Sequence, residues 1–383
     1  MKILHIITGL EVGGAELMLE RMITSERWAR SGDEHLVVSL TSLGTVGKRL
    51  RAAGISVEAL ELKRFLVLPV VLRRLVMIIA RVRPDIVQTW MYHADLLGGL
   101  AAKMAERRRV IWNLRTVATS AARYSWLTRM IRKICAVASH SIPYRIIAVT
   151  AEVQESHVAL GYTPDRMVVI GNGYQLPDPE RLRVARRSLR SAWGVAEDDV
   201  LIGMVARFDP LKGHKIFIDA AASVARTIPN AHFVIIGREC TNENAELFKW
   251  IDGHGLGERV LLCGQRNDVS ECLAALDIAC LPSIAEGFPN ALGEAMAAAK
   301  ACVATDVSGV KELLADCGII VPRGSSEALA SGLRKMVQFG SAEWIAIGQA
   351  ARRRIDAEFG LDNCLKRYEA VYSESAFVVD SRG

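Results

Sequence analysis

The sequence predicts an α/β protein of two doubly wound, Rossmann-like domains, each built on a parallel β-sheet. The chain has 383 residues, and an ordinary domain contains roughly 100–200 residues. Short apolar runs alternate with helical patterns along the chain, which is typical of βαβ units. This alternation breaks after Asn172-Gly173, where Pro177, Pro179 and a charged stretch come before a second series of runs.

Thirteen apolar runs predict the strands, and each series defines one domain. The first domain, residues 1–175, contains runs at Ile3–Thr8, His35–Leu40, Val57–Leu60, Ile86–Thr89, Val110–Trp112, Ile146–Val149 and Met167–Ile170. The second domain, residues 176–358, contains runs at Val200–Ala206, Phe233–Ile236, Val260–Leu262, Ile278–Leu281, Cys302–Thr305 and Ile319–Val321. Helical patterns between the runs include Ala15–Arg27, Ala94–Glu106 and Ala151–Leu160. Residues 359–383 are predicted to form a C-terminal helix, Leu361–Phe377, and a tail.

The composition is that of a folded protein with an uneven charge. Hydrophobic residues make up 51% and charged residues 23% of the chain, which excludes a largely disordered protein. The net charge is +6, but residues 1–175 carry 24 basic and 14 acidic side chains, a net +10. A basic half favours an anionic partner: nucleic acid, an anionic membrane surface or a phosphorylated substrate. Nucleic acid is disfavoured because no helix-turn-helix, RNA-recognition or zinc pattern is present.

Cysteine spacing and hydropathy predict a cytoplasmic protein. None of the eight cysteines forms a C-x-x-C pair, so we expect reduced, mostly buried thiols. Met1–Thr8 is expected to be a strand, not a signal peptide. The most apolar long stretch, Phe65–Ala80, contains Arg73 and Arg74, whereas a spanning helix needs ~20 mostly apolar residues. A peripheral position on the inner face of the cytoplasmic membrane is compatible with these features.

A glycine-rich loop follows the first predicted strand and opens a helix. Its sequence, from Gly9 to Gly13-Gly14, has the spacing G-x-x-x-G-G. Glycines let a backbone approach an anion, and a helix N-terminus favours negative charge. The spacing differs from the G-x-G-x-x-G of dinucleotide sites. A tight turn without a ligand is the alternative explanation.

The second domain carries two motifs suited to a diphosphate and a sugar. Arg207 and Lys212 lie on a short loop after its first strand, where two cations can hold a diphosphate. Glu286 and Glu294 flank the predicted helix start at Pro289-Asn290. Helix-start amides bind phosphate oxygens, and carboxylates accept hydrogen bonds from sugar hydroxyls. A solvated basic loop and a pair of glutamates favoured by the helix dipole are the alternatives.

Together these motifs resemble the retaining GT-B glycosyltransferases of family four, of the bacterial surface-polysaccharide type. The resemblance covers nearly the whole chain. It is carried by four motifs and a turn: Gly13-Gly14-Ala15-Glu16, Gln88 to Asp95, Asn172-Gly173, Arg207-Phe208-Asp209-Pro210-x-Lys212-Gly213, and the E-x(7)-E pair Glu286 and Glu294. The family often has Asn-Gly-Val-Asp where this chain has Asn172-Gly173-Tyr174-Gln175.

The resemblance implies two domains facing a central cleft, with the C-terminal helix crossing back to the first domain. Arg207 and Lys212 would bind the donor diphosphate. Glu286 would contact the donor sugar and Glu294 the ribose. Gly13 and Gly14 would close over the donor, and His93 would lie beside the transferred sugar. Amides of the helix start would bind phosphate or sugar; these belong to Phe288, Pro289 and Asn290.

The implied reaction is transfer of a hexosyl or N-acetylhexosaminyl group with retention of configuration. The donor would be a nucleotide sugar, with UDP-sugar the first expectation, and the acceptor a glycan or lipid-diphosphate-linked hydroxyl. No cofactor and no metal are expected, because the chain contains no D-x-D triplet. A sugar-nucleotide epimerase, a glycan phosphorylase and a non-catalytic nucleotide-sugar-binding subunit are the alternatives.

A basic, amphipathic stretch in the first domain predicts an acceptor or membrane side. Arginines and lysines interleave there with apolar residues, at Arg123, Trp126, Arg129, Arg132 and Lys133. Such a helix fits an anionic bilayer surface; packing on the sheet is the alternative. Arg115, at the end of a predicted strand, is expected to reach acceptor phosphate or to lie on the surface.

Overall fold

The computed structural model describes residues 1–62, 68–118 and 125–380, and the chain folds as two units. The first unit contains Met1–Gly173 together with the C-terminal segment from Leu361, and the second contains Tyr174–Gly360. Each unit holds one all-parallel sheet flanked by helices. This is the two-domain, Rossmann-like α/β fold expected from the sequence.

The sheet of the first unit has seven parallel strands in the order β3-β2-β1-β4-β5-β6-β7. The strands are β1 (Lys2–Ile7), β2 (Glu34–Ser39), β3 (Ser56–Ala59), β4 (Ile86–Trp90), β5 (Val110–Leu114), β6 (Arg145–Ala148) and β7 (Met167–Val169). The helices are α1 (Gly14–Ile23), α2 (Glu26–Ser31), α3 (Gly44–Ala52), α4 (Leu68–Val82), α5 (Tyr92–Met104), α6 (Trp126–Ala138) and α7 (Ala151–Val158).

The second unit has a six-stranded sheet in the order β10-β9-β8-β11-β12-β13. Its strands are β8 (Val200–Val205), β9 (Ala231–Ile236), β10 (Val260–Leu262), β11 (Ile278–Leu281), β12 (Ala301–Thr305) and β13 (Ile319–Val321). Its helices are α8 (Pro179–Ala192), α9 (His214–Ala225), α10 (Ala245–Gly253), α11 (Val269–Ala275), α12 (Asn290–Ala297), α13 (Val310–Leu314), α14 (Ser326–Phe339) and α15 (Ser341–Phe359). In each sheet the strand order reverses beside the first strand, β1 or β8, and such a switch point is where open α/β sheets bind ligands.

All thirteen predicted strands are present, with ends within two residues of the prediction. The predicted helix Ala15–Arg27 is wrong as a single helix, because α1 ends at Ile23 and α2 begins at Glu26. The side chain of Ser25 accepts a hydrogen bond from the Trp28 N–H. A serine in this position caps a new helix start.

The C-terminal helix, α16 (Leu361–Asp380), belongs to the first unit. Leu365, Tyr368 and Tyr372 are buried in the same core as Trp28 and Ile147. At its edge, the Arg27 guanidinium donates to both oxygens of Glu369, at 2.7 Å each. The expectation that this helix crosses back to the first domain is confirmed.

The cysteines and the hydropathy of the helices were also subjects of prediction. All eight cysteines lie in the described part of the chain and are unpaired; six are buried, and Cys263 and Cys317 are half-buried. Over residues 1–62, 68–118 and 125–380, no helix is long and apolar enough to cross a membrane.

Candidate functional site

Asp209 organises the loop after β8, which carries two cations, Arg207 and Lys212. Asp209 Oδ1 accepts a hydrogen bond from the Leu211 N–H at 2.8 Å, which caps a 3₁₀ turn over Pro210–Lys212. Asp209 Oδ2 accepts from Arg207 Nη2 at 3.1 Å. The Arg207 side chain is 47% exposed, so a ligand can reach its guanidinium from solvent.

Gly213 allows this loop to pack closely against the end of β11. Its φ of +72° lies in the left-handed region, which glycine adopts without strain. A Cβ at this position would lie only 2.1 Å from the Pro282 carbonyl oxygen. Only glycine allows so close an approach, and it places the preceding Lys212 beside the loop that follows β11.

Lys212 and Glu286, which the sequence places 74 residues apart, form a direct ion pair. Lys212 Nζ donates to the Glu286 carboxylate oxygens at 2.7 and 2.8 Å. Ser283 Oγ donates to Oε1 of the same carboxylate at 2.7 Å. The Glu286 side chain is 9% exposed and that of Lys212 is 22% exposed. The site therefore contains a largely buried carboxylate held by an ammonium and a hydroxyl.

Ser283 is itself held in place from β12. It is 1% exposed, and its carbonyl accepts a hydrogen bond from Thr305 Oγ1 at 2.6 Å. Ser283 and Thr305 are not among the residues predicted for the site. A polar residue within two positions of the end of a predicted strand, as Ser283 is two residues after Leu281, is the signal that identifies such a position.

The start of α12 corrects one predicted donor. Pro289 has no N–H group and therefore cannot donate to phosphate or sugar. The Asn290 N–H already donates to the Phe288 carbonyl at 3.0 Å. The backbone N–H of Ala291, in the first turn of α12, can donate to phosphate or sugar in place of Pro289. Such a first-turn amide has no partner within its own helix. The Phe288 amide stays a prediction.

An aromatic support lies under the start of α12. Tyr174 is 1% exposed, and its ring stacks on Phe288 with centroids 6.4 Å apart. A Cβ on Gly293 would lie 2.1 Å from Tyr174 Cζ. Tyr174, one of the departures from the family pattern, thus packs against the helix that carries the half-buried Glu294 on its second turn.

In the first unit, the glycine loop and His93 lie at the ends of neighbouring strands. Gly13 caps α1 after β1, and His93 lies in the first turn of α5 after β4, which pairs with β1. Gly13 has an extended φ of −157°, so its backbone conformation alone does not demand glycine. Burial lowers the pKa of His93, which favours a neutral imidazole at neutral pH.

The residue before α5 is conformationally strained. Met91 has φ +74° and ψ 156°, a region that a bulky side chain rarely adopts. Such strain persists only where the surroundings enforce it, and it is concentrated at functional sites. The turn that presents His93 is therefore held by the packing around β4.

The alternative that Arg115 is a surface charge is wrong, and its contact with an acceptor phosphate stays a prediction. Arg115 is 8% exposed and donates through Nη2 to the Tyr368 hydroxyl at 2.7 Å and through Nη1 to Asn172 Oδ1. Its guanidinium lies 4.8 Å from the centre of the Trp90 ring. Through Tyr368, Arg115 anchors α16 inside the unit. These partners are needed because an unpaired buried charge would be very unfavourable.

The basic helix α6 divides into a buried and an exposed face. Arg132 is 2% exposed, donates to the Ala118 carbonyl and stacks over the Tyr92 ring at 5.4 Å. Its assignment to a membrane-facing surface is therefore wrong. Arg129 and Lys133 are exposed, as is Trp126 at 69%. Arg123 lies outside the described residues.

Two protein-family models match the chain. Residues 12–176 match Glycosyltransferase Family 4, and residues 185–353 match Glycosyl transferases group 1. The chain therefore contains two glycosyltransferase domains, one of each kind. The two matches take in most of the sequence, one in each half.

Curated relatives of the chain include two bacterial enzymes. One is UDP-Gal:alpha-D-GlcNAc-diphosphoundecaprenol alpha-1,3-galactosyltransferase of Escherichia coli, 27% identical over 230 residues, 59% of this chain and 58% of that protein. Another is phosphatidyl-myo-inositol mannosyltransferase of Mycobacterium leprae, 30% identical over 182 residues, 45% and 47% of the two chains. The chain spans about half the length of the curated relatives it matches.

Solved structures show the same fold across the whole chain. HepE from Anabaena, crystallised with UDP and glucose, superposes with a TM-score of 0.85 at 23% identity. The match covers 98% of this chain and 100% of that one. The two-domain GT-B fold of the chain is thereby confirmed.

Proposed function

We propose that this glycosyltransferase moves a hexosyl or N-acetylhexosaminyl group from a nucleoside-diphosphate sugar to an acceptor hydroxyl, with retention of anomeric configuration. The observation that carries the proposal is the cluster at the neighbouring ends of β8 and β11. There Lys212 and Arg207 offer two cations, and Glu286 offers a carboxylate. Cations suit the diphosphate and a carboxylate suits sugar hydroxyls.

The proposed chemistry is mainly electrostatic. Arg207, Lys212 and the Ala291 amide stabilise the negative charge that grows on the diphosphate as it leaves. Glu294 accepts hydrogen bonds from the ribose. His93, with its lowered pKa, is proposed as a neutral hydrogen-bonding group for the transferred sugar. Gly13 and Gly14 are proposed as donor-binding residues.

Glu286 is proposed as a binding carboxylate and not as a general base. Two donors already occupy it, Lys212 and Ser283, so its oxygens are already engaged as hydrogen-bond acceptors. The acceptor proton would pass to the leaving phosphate on the same face of the sugar. This route requires neither a protein base nor a metal.

The relatives support the choice of UDP-sugar and of a lipid-linked or glycan acceptor. HepE is crystallised with UDP and glucose, and the Escherichia coli relative is named for UDP-Gal and a diphosphoundecaprenol acceptor. We propose that the transfer serves bacterial surface-polysaccharide synthesis, in line with the diphosphoundecaprenol acceptor in the name of the Escherichia coli relative. The epimerase, phosphorylase and binding-subunit alternatives are disfavoured, because the two curated relatives are named as transferases.

The donor site is tested by binding and by transfer. A thermal-shift panel of UDP, GDP and ADP identifies the base, since a ligand at ~100 times its dissociation constant adds about 2.7 kcal/mol of stability. Transfer from the matching nucleotide sugars is then measured for Arg207→Ala and Lys212→Ala. We expect both to abolish transfer with the fold intact. Arg353→Ala, an exposed arginine on α15, is the control, and full activity in both site variants would refute the proposal.

The exposed face of α6 is proposed to dock on the anionic inner leaflet of the cytoplasmic membrane. Trp126, Met130 and Val137 are 69%, 43% and 77% exposed, and Arg129 and Lys133 are exposed between them. Apolar side chains beside basic ones complement a lipid surface with anionic headgroups. Docking there would bring the enzyme to a lipid-diphosphate acceptor.

Liposome sedimentation decides whether α6 binds lipid. Each basic residue near the surface contributes about 1 kcal/mol, so replacing Arg129 and Lys133 together by Gln is expected to weaken binding roughly 30-fold. Arg30→Gln with Lys48→Gln removes the same charge from α2 and α3 and is expected to bind as the wild type does. Equal sedimentation with and without anionic lipid would contradict the docking.

A further inference from the structure

The ammonium group assigned to the donor diphosphate already has a partner inside the protein. Lys212 Nζ contacts both oxygens of Glu286, at 2.7 and 2.8 Å. The pair is sheltered, since the two side chains are 22% and 9% exposed. The carboxylate engages two of the three ammonium donors, so a phosphate that binds Lys212 competes with Glu286 for it.

This competition has a different consequence for the product nucleotide and for the intact donor. The terminal phosphate of a nucleoside diphosphate offers only acceptor oxygens, so it weakens the hold of Lys212 on Glu286 and brings a second negative group close to the carboxylate. A nucleotide sugar also brings hydroxyl donors, which can replace the lost hydrogen bonds of the carboxylate. Ser283 Oγ, 2.7 Å from Glu286 Oε1, holds the carboxylate in place during this exchange.

We infer that Glu286 is a specificity determinant that selects the intact donor over the nucleoside diphosphate by competing with phosphate for Lys212. The inference rests on the proposed donor site and deepens it. Once the sugar has been transferred, the carboxylate loses its hydroxyl partners and takes Lys212 back. The pair then favours release of the nucleoside diphosphate product.

Isothermal titration of the full chain tests the competition. The titrants are UDP and UDP-glucose, or the diphosphate and sugar of whichever base the thermal-shift panel selects. Glu286→Gln keeps the shape of the side chain but removes its charge. We expect the variant to bind the nucleoside diphosphate about tenfold more tightly and the nucleotide sugar no more tightly than the wild type. A fold defect would weaken both ligands, so these opposite responses exclude a purely structural effect.

A double-mutant cycle with Lys212→Gln separates competition from simple repulsion. In the Lys212→Gln background, we expect Glu286→Gln to improve nucleoside diphosphate binding less than about twofold. An equal gain in both backgrounds overturns the inference, as does a Glu286→Gln variant that binds the nucleoside diphosphate no more tightly. In both cases the proposed donor site is not contradicted, because the wild type still binds the two nucleotide ligands. A wild type that binds neither ligand overturns the proposed function and the inference together.

Discussion

Gly213→Ala is the sharpest test of how the donor site is assembled. The residue lies between Lys212 and α9, with φ +72°, and a Cβ there would stand 2.1 Å from the Pro282 carbonyl oxygen. The variant must therefore adopt a strained backbone and also push the loop after β8 away from the end of β11. Because Glu286 follows β11, the Lys212–Glu286 contact is expected to open.

The magnitude follows from comparison with a second left-handed glycine in the same unit. Gly194 has φ +68°, but nothing lies within 4 Å of the position of its Cβ. Gly194→Ala therefore meets only the backbone strain, about 1 kcal/mol. Gly213→Ala adds a collision with a backbone atom, and overpacking of this kind costs about 1–3 kcal/mol. We expect a loss of unfolding free energy of about 2–4 kcal/mol at Gly213.

Urea denaturation of both variants measures these losses. The same proteins are then assayed for transfer, because a misplacement of about 1 Å in a site can reduce the rate about 100-fold. Gly194→Ala is expected to keep the transfer rate of the wild type. If the two variants lose the same stability and the same activity, the contact with Pro282 does not position Lys212.

Three further outcomes are expected. Burial lowers the pKa of His35 to about 4, whereas in the unfolded chain the pKa is near the ordinary value of about 6.5. The free energy of unfolding should therefore rise by up to about 3 kcal/mol between pH 4 and 6.5. In urea titrations at different pH values, His35→Phe should make this rise less steep. Burial raises the pKa of Asp95 well above its usual value, so the unfolded chain loses this proton first and the free energy of unfolding falls as pH rises above about 4. Asp95→Asn should remove that part of the fall. A variant with the same pH profile as the wild type would contradict this expectation. Transfer is expected to continue in excess chelator, and a complete loss that manganese restores would show that a metal is needed.

The elements of both sheets were predictable because their signals are local. Apolar runs of strand length and the helical stretches between them are set by side-chain periodicity, and all thirteen strands are found where these runs lie. The split between α1 and α2 was missed although Ser25 is a capping residue, because the apolar periodicity continues across it. The candidate site motifs were also local, since they follow strands directly.

The pairing of distant charged groups required the tertiary structure. The sequence presents Arg115, Arg132, Lys212 and Glu286 as four ionisable residues on strand ends and helices. The fold buries Arg115 against Tyr368 and Arg132 against Tyr92, and it joins Lys212 to Glu286 across two neighbouring strands. A charge is exposed or buried according to which segments pack around it, and those contacts join residues far apart in the chain. The two sheets and the glycosyltransferase motifs can therefore be identified from the sequence, whereas the contacts made in the folded chain set which of the charges are available to bind a ligand.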